Sequence, residues 1–174
     1  MPDHNFKCEH APQPDEGNKL TVGMADIKIA AAPKVLQTTL GSCIAICAYS
    51  RAAKTGGMLH FMMPGVLASL ERQGLKEAKY AVTGIPKLFN LLMARGIRPE
   101  ELEVKLFGGG RILKNVSRDI GTENCAAAEL LLAGRGLTIL PGRTGGEKGL
   151  RLEFELESGI VKCRAIDEKI TEDY

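Results

Sequence analysis

The apolar residues of this chain fall into short runs that glycine and proline interrupt, and their length limits the structures it can form. Most runs have about four to eight residues, the length of a β-strand. Even the longer stretch Leu40–Tyr49 is well short of the roughly 18 to 20 apolar residues that a membrane-spanning helix needs. We therefore predict several short strands and no membrane span. The predicted strands are Val22–Ala31, Val35–Leu40, Cys43–Tyr49, Met58–Met63, Leu102–Phe107, Leu137–Leu140, Leu152–Leu156 and Ile160–Ala165.

Two segments show helical spacing instead. The first ends at Gly96, a residue type that commonly follows the last turn of a helix. The second is predicted over Glu123–Ala133, with Thr122 as its N-cap. Strands and two main helices in mixed order predict a single-domain α/β layered sandwich with a mixed sheet. The first helix has an apolar stripe at Ile85, Leu88, Phe89, Leu92 and Met93.

The overall composition argues against nucleic-acid binding and against secretion. Lys+Arg 23 against Asp+Glu 21 leaves a formal net charge of +2, and aromatic residues are only 5% with no Trp. The first residues are polar, unlike the basic and apolar start of a signal peptide. Five cysteines are an odd number in a chain long enough to bury a core without disulfides. We therefore expect a cytoplasmic protein with reduced thiols.

The two ends of the chain differ from its middle. Residues 1–18 are polar and contain almost no apolar residues, which predicts a flexible N-terminal tail. The predicted domain covers residues 19–168, and residues 169–174 are predicted to form a C-terminal tail. Three potential metal ligands on a flexible segment make a poor site, so no metal and no cofactor are expected. These three ligands are His4, Cys8 and His10.

Two glycine clusters invite comparison with phosphate-binding loops. Neither Gly108–Gly110 nor Gly145–Gly149 has the lysine and hydroxyl residue that complete a P-loop, and neither forms a GxGxxG motif after a strand. Such glycines are typical of turns with positive φ or of close backbone contacts. We interpret both clusters as structural loops that can line a cleft.

Cys43 is the best candidate for a nucleophile. It follows Gly41 and Ser42 where a turn meets a strand, and backbone N–H groups at such a turn can lower a thiol's pKa and hold an oxyanion. A cysteine nucleophile needs a base, and His60 is the only histidine outside the predicted N-terminal tail. The polar segment Ser50–Gly57 between the apolar runs Cys43–Tyr49 and Met58–Met63 predicts a hairpin, so both side chains should lie near the same end of it.

A structural interpretation of these residues stays open. A cysteine is often buried as a small apolar residue, and a lone histidine in a strand often only satisfies a carbonyl group. The remaining cysteines of the predicted domain are interpreted as packing residues. They are Cys47, Cys125 and Cys163.

Several motifs of the chain resemble those of the CheD family of chemoreceptor glutamine deamidases. The similarity begins with Thr38–Cys47 and Gly56–Pro64, which contain Cys43 and His60. Together with later segments it extends over nearly all of residues 19–164. The later segments are Lys79–Ala81, Lys105–Gly110, Ile120–Asn124 and the loop at Gly145–Gly146.

The resemblance implies a fold, a catalytic set and partners. The implied fold is the α/β sandwich of CheD type, related to that of the cytotoxic necrotizing factor toxins. The implied catalytic residues are Cys43, His60 and a threonine that orients the histidine. Family spacing assigns Thr38 to this role, whereas strand alternation counted from Cys43 favours Thr39. Some family members have the threonine where this chain has Gln37. The implied partners are the cytoplasmic domains of methyl-accepting chemoreceptors and a CheC-type phosphatase.

The predicted reaction is hydrolysis of the side-chain amide of receptor glutamines to glutamate, with release of ammonia. Cys43 would attack the carboxamide carbon, His60 would transfer the protons and Thr38 would hold the imidazole. The same chemistry would cleave a glutamate methyl ester. Two alternatives stay open: another cysteine amidase or peptidase, and a module that binds a CheC-type phosphatase or a receptor without turnover.

Overall fold

The strands of this protein form two sheets that pack face to face. The computed structural model describes residues 16–65, 76–112 and 117–174. The described strands are β1 (Lys19–Thr21), β2 (Asp26–Ala31), β3 (Val35–Leu40), β4 (Ile44–Ser50), β5 (Thr55–Phe61), β6 (Leu102–Gly108), β7 (Ile139–Thr144), β8 (Leu150–Glu155), β9 (Val161–Ala165) and β10 (Glu172–Asp173). Strand order is β1-β3-β8-β9-β10 in the first sheet and β2-β5-β4-β6-β7 in the second. The two α-helices are α1 (Ala81–Met93) and α2 (Ile120–Ala133). Both sheets are mixed, because β1 pairs with β3 and β6 pairs with β7 in parallel.

Strand β4 is buried along its whole length because both of its faces are covered. On one face it packs against apolar residues of α1 and α2. On the other face it packs against apolar residues of the first sheet, and we call this second cluster the intersheet core. The protein therefore has three layers, in the order helices, second sheet and first sheet. Residues Ile44, Ile46 and Ala48 face the helices, and Ala45, Cys47 and Tyr49 face the first sheet.

The predicted fold class is confirmed, with two mixed sheets where the sequence suggested one. The predicted hairpin is present, since β4 and β5 pair in antiparallel register from Ile44 with Phe61 to Ser50 with Thr55. Among the described residues, no helix combines the length and the apolar character needed to cross a membrane.

Three local predictions are wrong. The predicted strand Leu137–Leu140 is displaced, since β7 extends to Thr144, and Pro141 is tolerated there because β7 is an edge strand. The N-cap of α2 is Asp119, whose carboxylate accepts a hydrogen bond from the Thr122 N–H at 3.1 Å, so Thr122 lies within the first turn. Met93 does not complete the buried stripe of α1, because it is 51% exposed.

The two predicted tails have different outcomes. Residues 1–15, with His4, Cys8 and His10, lie outside the described part of the chain. Residues Glu16–Asn18 form a short 3-10 turn, in which the Gly17 carbonyl accepts a hydrogen bond from Lys34. At the other end, the segment predicted as a tail contributes β10 to the first sheet. The domain limits themselves stay a prediction.

The last residue closes the edge of the intersheet core. The N–H and the carbonyl of Tyr174 both bond to Val161, and its ring meets Phe107 edge-on at 5.4 Å between centroids. The ammonium group of Lys105 donates to the carbonyls of Tyr174 (2.9 Å) and Gly159 (3.1 Å). Burial lowers the pKa of Lys105, so this half-buried cation depends on these acceptors.

Deletion of residues 172–174 tests whether this end is part of the fold. We expect the free energy of unfolding to fall by about 2–4 kcal/mol, because Lys105 loses an acceptor and Phe107 loses its ring contact. Chemical denaturation measures the loss. The control is Ile170→Ala, since Ile170 is 73% exposed and should change stability by less than about 0.5 kcal/mol. Equal stability of the deletion variant and the wild type would show that these residues are a tail after all.

Candidate active site

Cys43 lies in the short turn between β3 and β4, immediately before β4 begins. The loop after β6 holds this turn through its backbone. The N–H of Gly110 donates to the Gly41 carbonyl at 2.9 Å, and the N–H of Gly109 donates to the Cys43 carbonyl at 2.8 Å. The Cys43 side chain is half-buried and packs against the intersheet core. The position of Cys43 therefore depends both on its own turn and on the loop Gly108–Gly110 after β6, which we call the glycine loop.

The glycine loop can hold the turn because it has no side chains at the contact. Gly108 has φ +103, and a Cβ atom there would lie 2.2 Å from the Cys43 carbonyl oxygen. The second glycine loop joins the first, since the N–H of Gly145 donates to the Gly108 carbonyl at 2.8 Å. The interpretation of Gly108–Gly110 as a loop of positive φ and close backbone contact is therefore confirmed.

His60 lies in β5 directly opposite Ala45 of β4. Because cross-strand partners share a face of the sheet, the imidazole is on the side of the intersheet core. Cys43 comes two residues before Ala45 and contacts the same core. Diagonal neighbours of this kind are roughly 7–8 Å apart between backbones. The register therefore brings Cys43 and His60 to the same end of the hairpin, as predicted.

Thr38 holds one nitrogen of His60 from the opposite sheet. Strand β3 alternates between buried and less buried residues, and Thr38 is on its buried side, facing the second sheet. The distance between Thr38 Oγ1 and His60 Nδ1 is 2.9 Å. Thr39 is exposed on the other side of β3, and Gln37 donates from its amide to the Thr21 hydroxyl. Among the three candidates, the structure places only Thr38 against His60.

The hydrogen bonds of Thr38 determine which nitrogen of His60 carries the proton. The Thr38 hydroxyl has one hydrogen, and it donates to the Val22 carbonyl at 2.7 Å, because that oxygen can only accept. The Thr38 oxygen must then accept from His60, so Nδ1 carries the hydrogen. In the neutral imidazole, Nε2 is consequently the basic nitrogen. It is buried and has no hydrogen-bond partner within the described part of the chain.

Burial shifts the pKa values of the two groups in opposite directions. It lowers the pKa of His60 below its ordinary 6.5, although the contact with the Val22 carbonyl and the charge of Asp26 oppose the shift. It raises the pKa of Cys43 above 9.0, and the hydrogen bond from the residue's own N–H offsets only part of this. A backbone N–H at the turn thus lowers the thiol pKa as expected, but burial outweighs it and the net shift is upward. At neutral pH the pair is a thiol and a neutral imidazole.

Asn124 is a residue of the site to which the sequence analysis gave no role. It lies in α2 and is fully buried, and its Nδ2 donates to the carbonyls of Ser42 and Met62, both at 3.0 Å. Ser42 precedes Cys43, and Met62 follows β5 two residues after His60. The available signal was an amide at the end of the motif Ile120–Asn124, with the small residues Gly121 and Ala128 about one helical turn before and after it.

Two of the other three described cysteines are more deeply buried than Cys43. Cys47 and Cys163 are buried in the intersheet core, and burial raises the pKa of Cys163 to about 11. Cys125 is half-buried against the core below the helices, and burial raises its pKa as well. The interpretation of these three as packing residues agrees with their positions. No group of three or more His, Cys, Asp or Glu residues suited to a metal ion occurs among the described residues.

A cleft of about 1040 Å³ reaches the His60–Thr38 pair from the side of the first sheet. Its walls include Met24, which is 63% exposed, and Arg151 on the outer face of β8. Cys43 is not part of its lining. The cleft therefore gives access to the imidazole and its threonine, while the thiol lies beside the glycine loops.

The chain is similar to known proteins that share one name. A family model described as CheD chemotactic sensory transduction matches residues 62–165, beginning just after His60. The probable chemoreceptor glutamine deamidase CheD of Caulobacter vibrioides (strain NA1000 / CB15N) is 36% identical over 158 residues, which cover 90% of this chain and 83% of the relative. The protein of the same name from Rhizobium meliloti (strain 1021) is 38% identical over 151 residues, 86% of this chain and 81% of the relative. That from Methanococcus maripaludis is 37% identical over 147 residues, 83% of this chain and 94% of the relative.

The tautomer of His60 can be measured by nitrogen NMR of the imidazole. We expect Nδ1 to carry the hydrogen in the neutral form and the ring to titrate below pH 6.5, because burial disfavours the imidazolium. Thr38→Val removes the acceptor for Nδ1–H and should shift the population toward the Nε2–H form. Thr39→Val, at the neighbouring exposed position, is the control and should leave the spectrum unchanged. An Nε2–H imidazole in the wild type would contradict the assignment.

Proposed function

The chain belongs to the CheD family, and from this we propose that it is a chemoreceptor glutamine deamidase, a protein-glutamine glutaminase. It would convert glutamine side chains of methyl-accepting chemoreceptors to glutamate and release ammonia. The observation that carries the proposal is the imidazole of His60, which Thr38 holds with its basic nitrogen free, beside the Cys43 turn. This is the arrangement that a cysteine nucleophile needs.

In the first half-reaction the acyl group of the glutamine side chain is transferred to Cys43. The Cys43 hydrogen moves to Nε2 of His60 while Sγ bonds to the carboxamide carbon, which forms a tetrahedral intermediate. The imidazolium then returns the proton to the amide nitrogen, the C–N bond breaks and ammonia leaves. The product is a thioester between Cys43 and the receptor side chain.

In the second half-reaction water takes the place of the thiol. Nε2 of His60 removes a proton from the water, whose oxygen attacks the thioester carbon. The C–S bond then breaks, and Cys43 recovers its hydrogen from the imidazolium. Atoms balance overall, because one water and one carboxamide give one carboxylic acid and one ammonia.

In the free protein the Cys43 thiol and the His60 imidazole are both neutral, so His60 must remove the thiol proton during the attack. A thiol whose pKa is raised above 9.0 is almost entirely protonated at pH 7, so attack depends on proton transfer in the same step. His60 is ready for this, because its lowered pKa keeps it neutral. Thr38 offers a neutral oxygen to Nδ1–H, which orients the ring without the charge of a carboxylate.

Hydrolysis of glutamate methyl esters and binding of a CheC-type phosphatase stay predictions of the family resemblance. The ester reaction uses the same thioester and differs only in its leaving group, methanol in place of ammonia. A CheC-type partner would be detected by direct binding between the purified proteins.

The proposed function is tested by incubating the purified protein with a receptor cytoplasmic fragment. Mass spectrometry of the digested receptor identifies glutamines converted to glutamate, and an ammonia assay gives the rate. Conversion of the folded fragment with little hydrolysis of small amides supports the proposal. Hydrolysis of small amides alone would indicate another cysteine amidase, and receptor binding without ammonia would indicate a binding module.

Replacement of the nucleophile should abolish the reaction and leave the fold intact. We expect Cys43→Ala and Cys43→Ser to lower kcat by at least about 1000-fold, because neither side chain is an equivalent nucleophile. Cys47→Ala should retain activity, since Cys47 is buried in the intersheet core. The same receptor assay gives the three rates, and melting curves check the fold. A Cys43 variant that still turns over would show that another thiol reacts.

The pH dependence of kcat/KM tests the neutral pair. We expect a rate that falls only below pH 6.5, because the lowered pKa of His60 makes the base lose its lone pair to a proton there. Above this limb the rate should stay level up to about pH 9, since the thiol remains protonated over this range. A rate that rises about tenfold per pH unit from 7 to 9 would mean that a preformed thiolate reacts instead.

A further inference from the structure

The turn that carries Cys43 has all three of its carbonyl oxygens occupied by donors. Gly110 donates to the Gly41 carbonyl and Gly109 to the Cys43 carbonyl. The Ser42 carbonyl between them accepts from the Asn124 side chain at 3.0 Å. Two of the three donors are backbone groups of one loop, and the third is a side chain of α2. Asn124 is therefore the only one of the three donors that a substitution can remove directly.

The orientation of the Asn124 amide is determined by its partners. Carbonyl oxygens only accept, so both hydrogens of Nδ2 point to Ser42 and Met62, and Oδ1 faces the other way. Oδ1 is buried and has no partner within the described residues, a cost of about 1–3 kcal/mol. The other buried side-chain atom of this kind in the described chain is Nε2 of His60. Both unpartnered atoms thus belong to side chains whose other hydrogen bonds lie at the Cys43 end of the β4–β5 hairpin.

Holding the Ser42 carbonyl also orients the N–H of Cys43. The two groups belong to one planar trans peptide unit and point in opposite directions from it. With the oxygen directed at Asn124, the N–H is directed away from α2. This N–H and the sulfur belong to the same residue, so the donor lies close to any carbon that Sγ attacks. When Sγ attacks a carbonyl carbon, the oxygen that becomes negative is near this donor.

We propose that Asn124 is a positioning residue. It orients the Ser42–Cys43 peptide so that the Cys43 N–H stabilises the substrate oxyanion that forms when Sγ attacks. This rests on the proposed function, because it supplies the oxyanion donor of that reaction. Asn124 also ties the Cys43 turn to the end of β5, through the carbonyls of Ser42 and Met62. The amide does not touch the substrate and acts only through the backbone.

Gly121 allows the helix to come close enough for this contact. A Cβ atom at Gly121 would lie 2.3 Å from the Gly109 carbonyl oxygen, so α2 rests on the glycine loop that holds the turn. Any larger residue would push the helix away by more than the slack of a hydrogen bond. The sequence Gly121–Asn124 thus combines a close backbone approach with a buried donor three residues later.

The test compares Asn124→Ala with two reactions of Cys43, of which only one forms an oxyanion. In a peptide whose glutamine side-chain carboxamide is replaced by an aldehyde, Sγ adds to the aldehyde carbon while His60 takes the thiol proton, and the aldehyde oxygen becomes the oxyanion. Alkylation by iodoacetamide instead displaces iodide and forms no oxyanion. We expect kcat for receptor deamidation and the affinity for the aldehyde both to fall by about 100-fold, as when one oxyanion donor is lost. The alkylation rate and the acid limb of the pH profile should change by less than about threefold.

Leu132→Ala is the matched control, since Leu132 is fully buried in the same helix but packs only in the core below it. It should lower the melting temperature at least as much as Asn124→Ala and leave kcat within about threefold. Asn124→Ser, which keeps one donor, should give intermediate rates and provides a second variant if Asn124→Ala folds poorly. Equal losses in aldehyde affinity and alkylation, or no loss in either, would overturn the proposal. The aldehyde arm needs no turnover, so it reports on Asn124 even if the receptor is not the substrate.

Discussion

The burial of both faces of β4 is the constraint from which the rest of the structure follows. A strand of seven residues without an exposed face needs a cover on each side. The helices supply one cover and the first sheet supplies the other. Full burial ends just before the strand, since Gly41, Ser42 and Cys43 are each only partly buried. The candidate nucleophile thus lies where the most buried strand of the protein begins.

The hydrogen bonds of Thr38 link the two sheets at this point. Thr38 belongs to the first sheet, His60 to the second, and the Val22 carbonyl to the segment between β1 and β2. One hydroxyl group therefore satisfies a carbonyl and an imidazole nitrogen that would otherwise be buried without partners. Loss of this hydroxyl would lower the stability of the protein and also change the tautomer of His60. Any effect of a Thr38 variant on rate is therefore compared with the control at exposed Thr39.

The sequence was a good guide where local patterns and tertiary structure agree. The apolar run through β4 and the stripe of α1 predicted buried elements, and the polar segment Ser50–Gly57 between two apolar runs predicted the hairpin. Residues 141–144 of β7 were missed because Pro141 is a strong turn signal, and only its place at a sheet edge makes it compatible with a strand. The choice between Thr38 and Thr39 was open for a similar reason. Alternation counted from Cys43 does not pass through the Gly41–Ser42 turn, whereas alternation within β3 places Thr38 inside.

Asn124 could not be assigned from sequence because its partners are backbone carbonyls of distant segments. A side-chain partner can be inferred from its residue type, whereas a backbone carbonyl is present at every position and gives no such signal. The separations are 82 residues to Ser42 and 62 residues to Met62. Only the packing of α2 on the glycine loop reveals that this amide meets the turn.

The opposite pKa shifts of Cys43 and His60 have a common origin and a common consequence. Desolvation disfavours charge on either group, so it protonates the thiol and deprotonates the imidazole. A thiol in this state is a poor target for oxidants and alkylating agents, which react with thiolate. In the proposed reaction it becomes a nucleophile only when an electrophilic carbon is present to accept the sulfur while Nε2 takes the hydrogen. Burial therefore makes the reactivity of Cys43 conditional on a bound substrate, and the same low-polarity surroundings strengthen any hydrogen bond that the Cys43 N–H makes to the developing oxyanion.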